Sequence, residues 1–186
     1  MKIAISGSIG SGKSMACEYL RSKGFDVFDC DRENSILLQK GQEGYKQVKE
    51  AFPEAFADNE LDKKILSDLV FSDDKKRKKL EEIMHPLILK KMMERIDDPL
   101  FAEVPLLFES GWEKYFDRNL LIVVDEKIAI ERLIERGLDK KEAKRRLKAQ
   151  MSVVEKIKRA DKIIYNNDSL SDLYRQIDEW LKEILC

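Results

Sequence analysis

One short segment constrains the fold of this chain more than any other. Ile3-Ala4-Ile5 is an apolar run of strand length, and it opens directly into Gly7-Ser8-Ile9-Gly10-Ser11-Gly12-Lys13-Ser14. Glycine adopts positive φ without steric penalty, so glycines at this spacing let a strand end in a tight loop whose N–H groups converge. Ala16, Tyr19 and Leu20 then recur at helical spacing, so the loop feeds a helix. A buried strand followed by a helix belongs in a parallel sheet, because parallel neighbours are joined by long, usually helical, crossovers.

The loop matches GxxxxGK[ST] in full, and each residue type has a physical reason. Converging main-chain amides cradle phosphate oxygens, and the helix beginning near Lys13 aims the positive end of its dipole at the same anions. Lys13 reaches the β- and γ-phosphates, and the Ser14 hydroxyl can ligate Mg²⁺. The segment Gly7–Ser14 therefore predicts binding of ATP with Mg²⁺.

Five segments read as buried strands: Lys2–Ser6, Phe25–Asp29, Leu100–Phe108, Asn119–Asp125 and Lys162–Tyr165. Leu120-Leu121-Ile122-Val123-Val124 is apolar on both faces, as a sheet covered by helices on both sides demands. The expectation is a doubly wound α/β fold with a five-stranded parallel sheet in three layers, α/β/α. Two crossovers exceed what one helix needs. Arg32–Pro99 carries Leu61, Ile65, Leu66, Leu69, Val70 and then Leu80, Ile83, Met84, Leu87, Ile88 at helical spacing, with Pro86 expected to kink or restart the second helix. Glu126–Arg159 is rich in Arg and Lys, and a final amphipathic helix begins near Ser169, burying Leu173, Ile177, Trp180, Leu181 and Ile184. This divides one kinase-like unit into a core (1–31, 99–125, 160–186), a helical insertion (32–98) and a lid (126–159).

Composition narrows the partners. Thirty-five Lys+Arg balance 36 Asp+Glu, leaving net charge −1 and no global footprint for nucleic acid. No apolar run approaches the roughly 20 residues of a membrane span, and the start is too short an apolar stretch for a signal peptide. Cys17, Cys30 and Cys186 form an odd, widely spaced set with no CxxC pair, read as reduced thiols. The expected setting is the cytoplasm, the expected partners are small molecules, and the expected state is a monomer or weak oligomer.

Several side chains stand where chemistry needs them. Asp29-Cys30-Asp31 ends the second strand, and ligands of open α/β sheets lie beyond such strand ends. Asp31 is the candidate that takes a proton from an acceptor hydroxyl, with Asp29 helping; alternatively one of the two caps the next helix. Glu109 and Asp125, each ending an apolar run, compete to hold Mg²⁺-bound water. Arg132 and Arg136 read as lid arginines that neutralise charge during transfer, against a solvated-surface reading for most neighbouring lysines. His85, the single histidine, reads as structural on its residues alone. A kinase for a small-molecule hydroxyl fits best. A GTPase-like switch ranks lower, because no Asn-Lys-x-Asp motif is present and a switch has no use for an acceptor-side carboxylate.

The combined pattern resembles the dephospho-CoA kinase family. The matching stretches run in family order across nearly the whole chain: Gly7–Ser14, Asp29-Cys30-Asp31, Leu80 to Ile88 around His85-Pro86, Val104-Pro105-Leu106-Leu107-Phe108-Glu109, Arg132 to Arg136, and Gln150 with Ala160 to Asn167. The resemblance implies a nucleotide-kinase-like fold with a helical acceptor-binding insertion, and transfer of the γ-phosphoryl of ATP to the ribose 3′-hydroxyl of dephospho-CoA, the last step of coenzyme A synthesis. By that resemblance, Gly7, Ile9, Gly10, Ser11, Gly12, Lys13, Ser14, Met15, Arg132 and Arg136 contact the nucleotide. Asp31, Lys13 and Arg136 are catalytic, and Asp31, His85, Pro105, Leu106 and Glu109 meet the acceptor. Another small P-loop kinase, for a nucleoside monophosphate or a metabolite, is the rival reading. The chain departs from the family pattern at Lys63, where Arg is common, and at Asp168, where Gly is common.

Overall fold

The computed structural model describes residues 1–185. Its elements in chain order are β1 (Lys2–Gly7), α1 (Lys13–Ser22), β2 (Val27–Asp29), α2 (Cys30–Leu37), α3 (Glu43–Ala51), β3 (Phe56–Ala57), β4 (Glu60–Leu61), α4 (Lys63–Ser72) and α5 (Asp74–Met93). There follow β5 (Leu100–Glu103), β6 (Arg118–Val123), α6 (Glu126–Glu135), α7 (Lys140–Lys148), α8 (Val153–Arg159), β7 (Lys162–Tyr165) and α9 (Leu170–Leu185). Short 3₁₀ turns occupy Pro53–Ala55 and Trp112–Tyr115. Two compact units result: Met1–Phe28 with the chain from Asp97 onward, and Asp29–Ile96.

The five strands order as β2-β5-β1-β6-β7, with β1 parallel to β5 and β6, and β6 parallel to β7. The glycine-loop strand is thus central. Ile5 pairs with Glu103 on one side and Leu120 on the other, which brings the ends of three strands together where the loop begins. One sheet face packs on α1 and α9 through Ile3, Ile5, Leu20, Phe101, Leu120, Ile122, Leu173, Ile177 and Trp180. Side chains alternate across a strand, so Leu121 and Val123 point to the other face, where α8 lies and Val123 shares a cavity lining with Ile157. The last helix starts as its residues predict: Ser169 Oγ accepts the Asp172 N–H at 3.2 Å, one of the donors a helix start leaves open.

The unit Asp29–Ile96 is mainly helical, with Leu37, Tyr45, Val48, Phe52, Leu66, Met84, Ile88 and Met92 buried. Four features differ from expectation. The strand expected over Leu100–Phe108 stops at Glu103, because Pro105 has no N–H to donate; the Val104 N–H to Ile5 carbonyl bond (3.0 Å) is the last rung, and Leu106–Gly111 turns away. Leu61 belongs to a small hairpin, β3–β4, rather than to a helix. Asp58 and Asn59 at its tip have φ of 49° and 62°, the left-handed pair a two-residue turn requires. Pro86 does not restart a helix: α5 is unbroken over Asp74–Met93. Pro86 and Glu82 are exposed, so water can satisfy the Glu82 carbonyl that loses its helical donor. Finally, β2 and β6 are shorter than the runs Phe25–Asp29 and Asn119–Asp125 suggest, since flanking residues serve the turns. Cys17 and Cys30 are buried thiols, and Cys186 lies outside the described residues. No helix among the described residues is long and apolar enough to cross a membrane.

Candidate active site

The loop between β1 and α1 closes tightly against its surroundings. Gly10 and Gly12 have φ of 81° and 89°. A Cβ on Gly12 would collide with the Asn166 side-chain amide, and one on Gly7 would collide with Ser11 Oγ. Glycine is therefore a matter of space at both places, and at Gly12 of torsion as well. The loop's carbonyls are held from outside. Arg132 donates to Gly10 O (3.4 Å) and Asn166 O (3.0 Å), and Asn166 Nδ2 donates to Ser11 O (2.8 Å). With those oxygens engaged, the first-turn amides of α1, which have no intrahelical acceptor, are the groups left to meet an anion.

Lys13 and Ser14 converge on one carboxylate. Lys13 Nζ lies 2.5 Å from Glu103 Oε1 and Ser14 Oγ lies 3.0 Å from the same oxygen, while an Arg21 guanidinium nitrogen sits 3.7 Å from Oε2. Burial pushes the Glu103 carboxyl up, but the Lys13 hydrogen bond and charge, the Ser14 hydroxyl and the Arg21 charge outweigh it and hold the group below the ordinary carboxylate range. Burial, and then the Glu103 charge, push the neighbouring Cys17 thiol far above its ordinary range, so it stays protonated. A hydroxyl and an ionised carboxylate at this separation are the hard oxygen donors that suit Mg²⁺, which takes few protein ligands and keeps water and phosphate for the rest.

Glu103 is the residue that sequence reasoning missed. The two acids in competition there lie elsewhere. Glu109 accepts the Met151 N–H (3.1 Å) and pairs with Lys156 (2.8 Å), while Asp125 exchanges hydrogen bonds with Asn167 through its own N–H (2.8 Å) and carboxylate (3.1 Å). The signal was available: a proline cannot sit inside a parallel strand, so the strand had to end before Pro105, with Glu103 at its tip. In the sequence Asn166 and Gln150 stand only within stretches that match the family, and their bonds to the loop require tertiary contact.

The remaining expected residues fall into three settings. Ile9 packs against α6 and α7, Met15 is half-buried beside the core, and Arg132 braces the loop. Arg136 is exposed at the end of α6; Pro105 is half-exposed and Leu106 is 49% exposed on the turn after β5. In the helical unit, Asp29 Oδ1 accepts the Arg32 N–H at 2.9 Å, so Asp29 is the helix cap and Asp31 is an exposed carboxylate in the first turn of α2. His85 is half-buried on α5, and burial lowers its imidazole pKa against a smaller upward pull from Glu81.

A central parallel strand, a glycine loop bracing a helix start, and a lysine–serine–carboxylate cluster at its base define a phosphate-loop kinase of the α/β class. The family model for dephospho-CoA kinase matches residues 1–172. The chain is 39% identical to a dephospho-CoA kinase of Thermus thermophilus, over 98% of this chain and 91% of that one. Among solved structures it is similar to the Thermus thermophilus protein TT1252, at 37% identity and TM-score 0.87 with 99% and 97% of the two chains covered. It is also similar to dephospho-CoA kinase from Campylobacter jejuni, at 29% identity and TM-score 0.73 with 99% and 98% covered. The chain belongs to the dephospho-CoA kinase family.

Proposed function

We propose that the protein transfers the γ-phosphoryl group of ATP to the ribose 3′-hydroxyl of dephospho-CoA, giving coenzyme A and ADP. The observation that carries this reading is the convergence of Lys13 and Ser14 on Glu103 at the foot of the glycine loop, in a chain whose relatives are named for that acceptor. The acceptor oxygen attacks the γ-phosphorus while the bond to the β–γ bridging oxygen breaks, and that oxygen leaves with ADP. Phosphoryl transfer asks for positioning and charge stabilisation more than for covalent work by the protein.

The residues divide that work. The first-turn amides of α1 and the loop N–H groups not already engaged hold the triphosphate, Ile9 contributing through its place in the loop while its own N–H goes to Gln150, and the Lys13 ammonium balances charge on the β- and γ-oxygens. The Ser14 hydroxyl and the Glu103 carboxylate would hold Mg²⁺, which when bound adds neutralising charge at the same oxygens. Asp31 accepts the proton of the attacking hydroxyl; its neighbour Asp29 is already committed as a cap, which supports this choice. Arg132 shapes the loop, and Arg136 contributes positive charge over the nucleotide when the segment 126–159 acts as a lid. His85 and the turn Pro105, Leu106 and Glu109 serve the acceptor, with the insertion 32–98 supplying most of its binding surface. The reaction is placed in the cytoplasm, with the protein as a monomer or weak oligomer.

The test is product identification. Purified protein incubated with ATP, Mg²⁺ and dephospho-CoA should yield a species with the mass of coenzyme A, while AMP, CMP and shikimate remain unphosphorylated. Phosphorylation of one of those three with none on dephospho-CoA would replace this acceptor with another.

A further inference from the structure

The tip of the glycine loop is fastened to the helices that follow β6 by two unrelated contacts. The Ile9 side chain packs with Leu147 against Ile130, Leu133 and Ala143, the small core that α6 and α7 share. The Ile9 N–H donates to Gln150 Oε1 at 3.0 Å. The adjoining Gly10 lies so close to α6 that an added Cβ would stand 3.0 Å from the Ala129 carbonyl.

Gln150 is itself held. It follows Ala149, the last residue of the α7 cap, and is separated from the Ser152 cap of α8 by Met151 alone. The Met151 N–H donates to Glu109 Oε1 at 3.1 Å, and the wholly buried Lys156 ammonium lies 2.8 Å from the same oxygen. Two consecutive residues are thus pinned in opposite directions, one to the phosphate loop and one to the turn after β5. A neutral amide suits the first position, because it offers an acceptor to Ile9 without placing a negative charge beside bound phosphates.

We infer that Gln150 is a positioning residue for the phosphate loop: by accepting the Ile9 N–H it fixes the loop tip to the α6–α7 pair, and the Glu109–Lys156 pair keeps Gln150 in place. The backbone geometry that phosphates meet is therefore set in part by a side chain that need not touch the nucleotide.

The test uses full-length ¹⁵N-labelled protein without nucleotide, in three forms: parent, Gln150→Met and Gln150→Glu. Met keeps the length of the side chain and removes the acceptor, whereas Glu keeps an acceptor. Exchange of the Ile9 amide should quicken about threefold to tenfold in Gln150→Met, the range that one net hydrogen bond gives, and return to the parental rate or slower in Gln150→Glu. Amides of Ile3 and Ile5 should exchange as in the parent. Turnover of ATP with dephospho-CoA should fall in Gln150→Met by a similar factor, with the melting temperature lowered by no more than about 6 °C. Unchanged Ile9 exchange in Gln150→Met, equal speeding in Gln150→Glu, or speeding shared by Ile3 and Ile5 would each overturn the role, as would parental turnover in Gln150→Met. The turnover arm rests on the proposed reaction; the exchange arm does not, so the two fail separately.

Discussion

Gly12→Ala is the sharpest test of the loop, because the protein carries its own control. Gly12 and Gly24 have nearly the same backbone torsion, φ of 89° and 90°. Around Gly24, which closes the end of α1, nothing lies within 4 Å of an added Cβ, whereas at Gly12 the Cβ would enter the space of Asn166 Nδ2. Asn166 is 3% exposed and donates to Ser11 O. Alanine at Gly24 therefore incurs the torsional strain alone, about 1–3 kcal/mol. Alanine at Gly12 incurs the same strain and also displaces Asn166, stranding a buried amide and a carbonyl at a further cost of about 1–3 kcal/mol. At about 2–4 °C per kcal/mol for a chain of this size, Gly12→Ala should melt roughly 2–12 °C below Gly24→Ala. A loop shifted by about 1 Å should also lower kcat/KM on the order of a hundredfold, while Gly24→Ala turns over like the parent. Calorimetric melts and a coupled ADP assay on the two variants decide it. If they melt together and turn over alike, the close approach of Asn166 to the loop does not constrain position 12.

The remaining tests probe single groups. Glu103→Gln keeps the shape and removes the charge at the foot of Lys13 and Ser14; turnover at limiting Mg²⁺ should fall about 10–100-fold and recover in part as Mg²⁺ is raised, and indifference to Mg²⁺ would remove Glu103 from the metal site. Asp31→Asn should lower turnover by about 10²–10⁴ with an unchanged circular dichroism spectrum; near-parental rates would end its assignment as base. Glu109→Leu leaves the wholly buried Lys156 ammonium without its carboxylate and should cost about 3–5 kcal/mol in urea unfolding, with Glu109→Leu/Lys156→Met recovering most of it; a single variant as stable as the parent would contradict the pairing. His85 titrates below its ordinary 6.5 because it is buried. As pH falls through 6.5 the unfolded chain takes up the proton first. The His85 contribution is thus fully present above that pH and is lost below it, until the folded-state value is passed. His85→Gln should lose less stability than the parent as pH falls through 6.5; equal losses would show that other groups carry the acid limb.

Local chemistry wrote much of this fold into the chain. Gly7–Ser14 after Ile3-Ala4-Ile5 dictated a strand, a glycine loop and a helix, because few other backbones satisfy glycines at that spacing between apolar runs. The stripe Leu173, Ile177, Trp180 and Leu181 dictated which face of α9 is buried, and Ser169 its start. The family resemblance likewise lay in short ordered stretches that can be read without coordinates. Less legible were features in which two distant segments share one group. Pro105 shows that β5 must stop, yet only the parallel register Ile5–Glu103 places that carboxylate on Lys13.

What the residues determined alone is most of the element types, though not the β3–β4 hairpin, together with the phosphate loop and the family, since these depend on torsions and periodicities within a few positions. Tertiary structure decided which acid meets Lys13 and Ser14, and what holds the loop from outside. Those outcomes follow from contacts between residues about ninety to more than one hundred and fifty positions apart, such as Glu103 with Lys13 and Asn166 with Ser11. No local pattern encodes such a meeting; strand order and burial do.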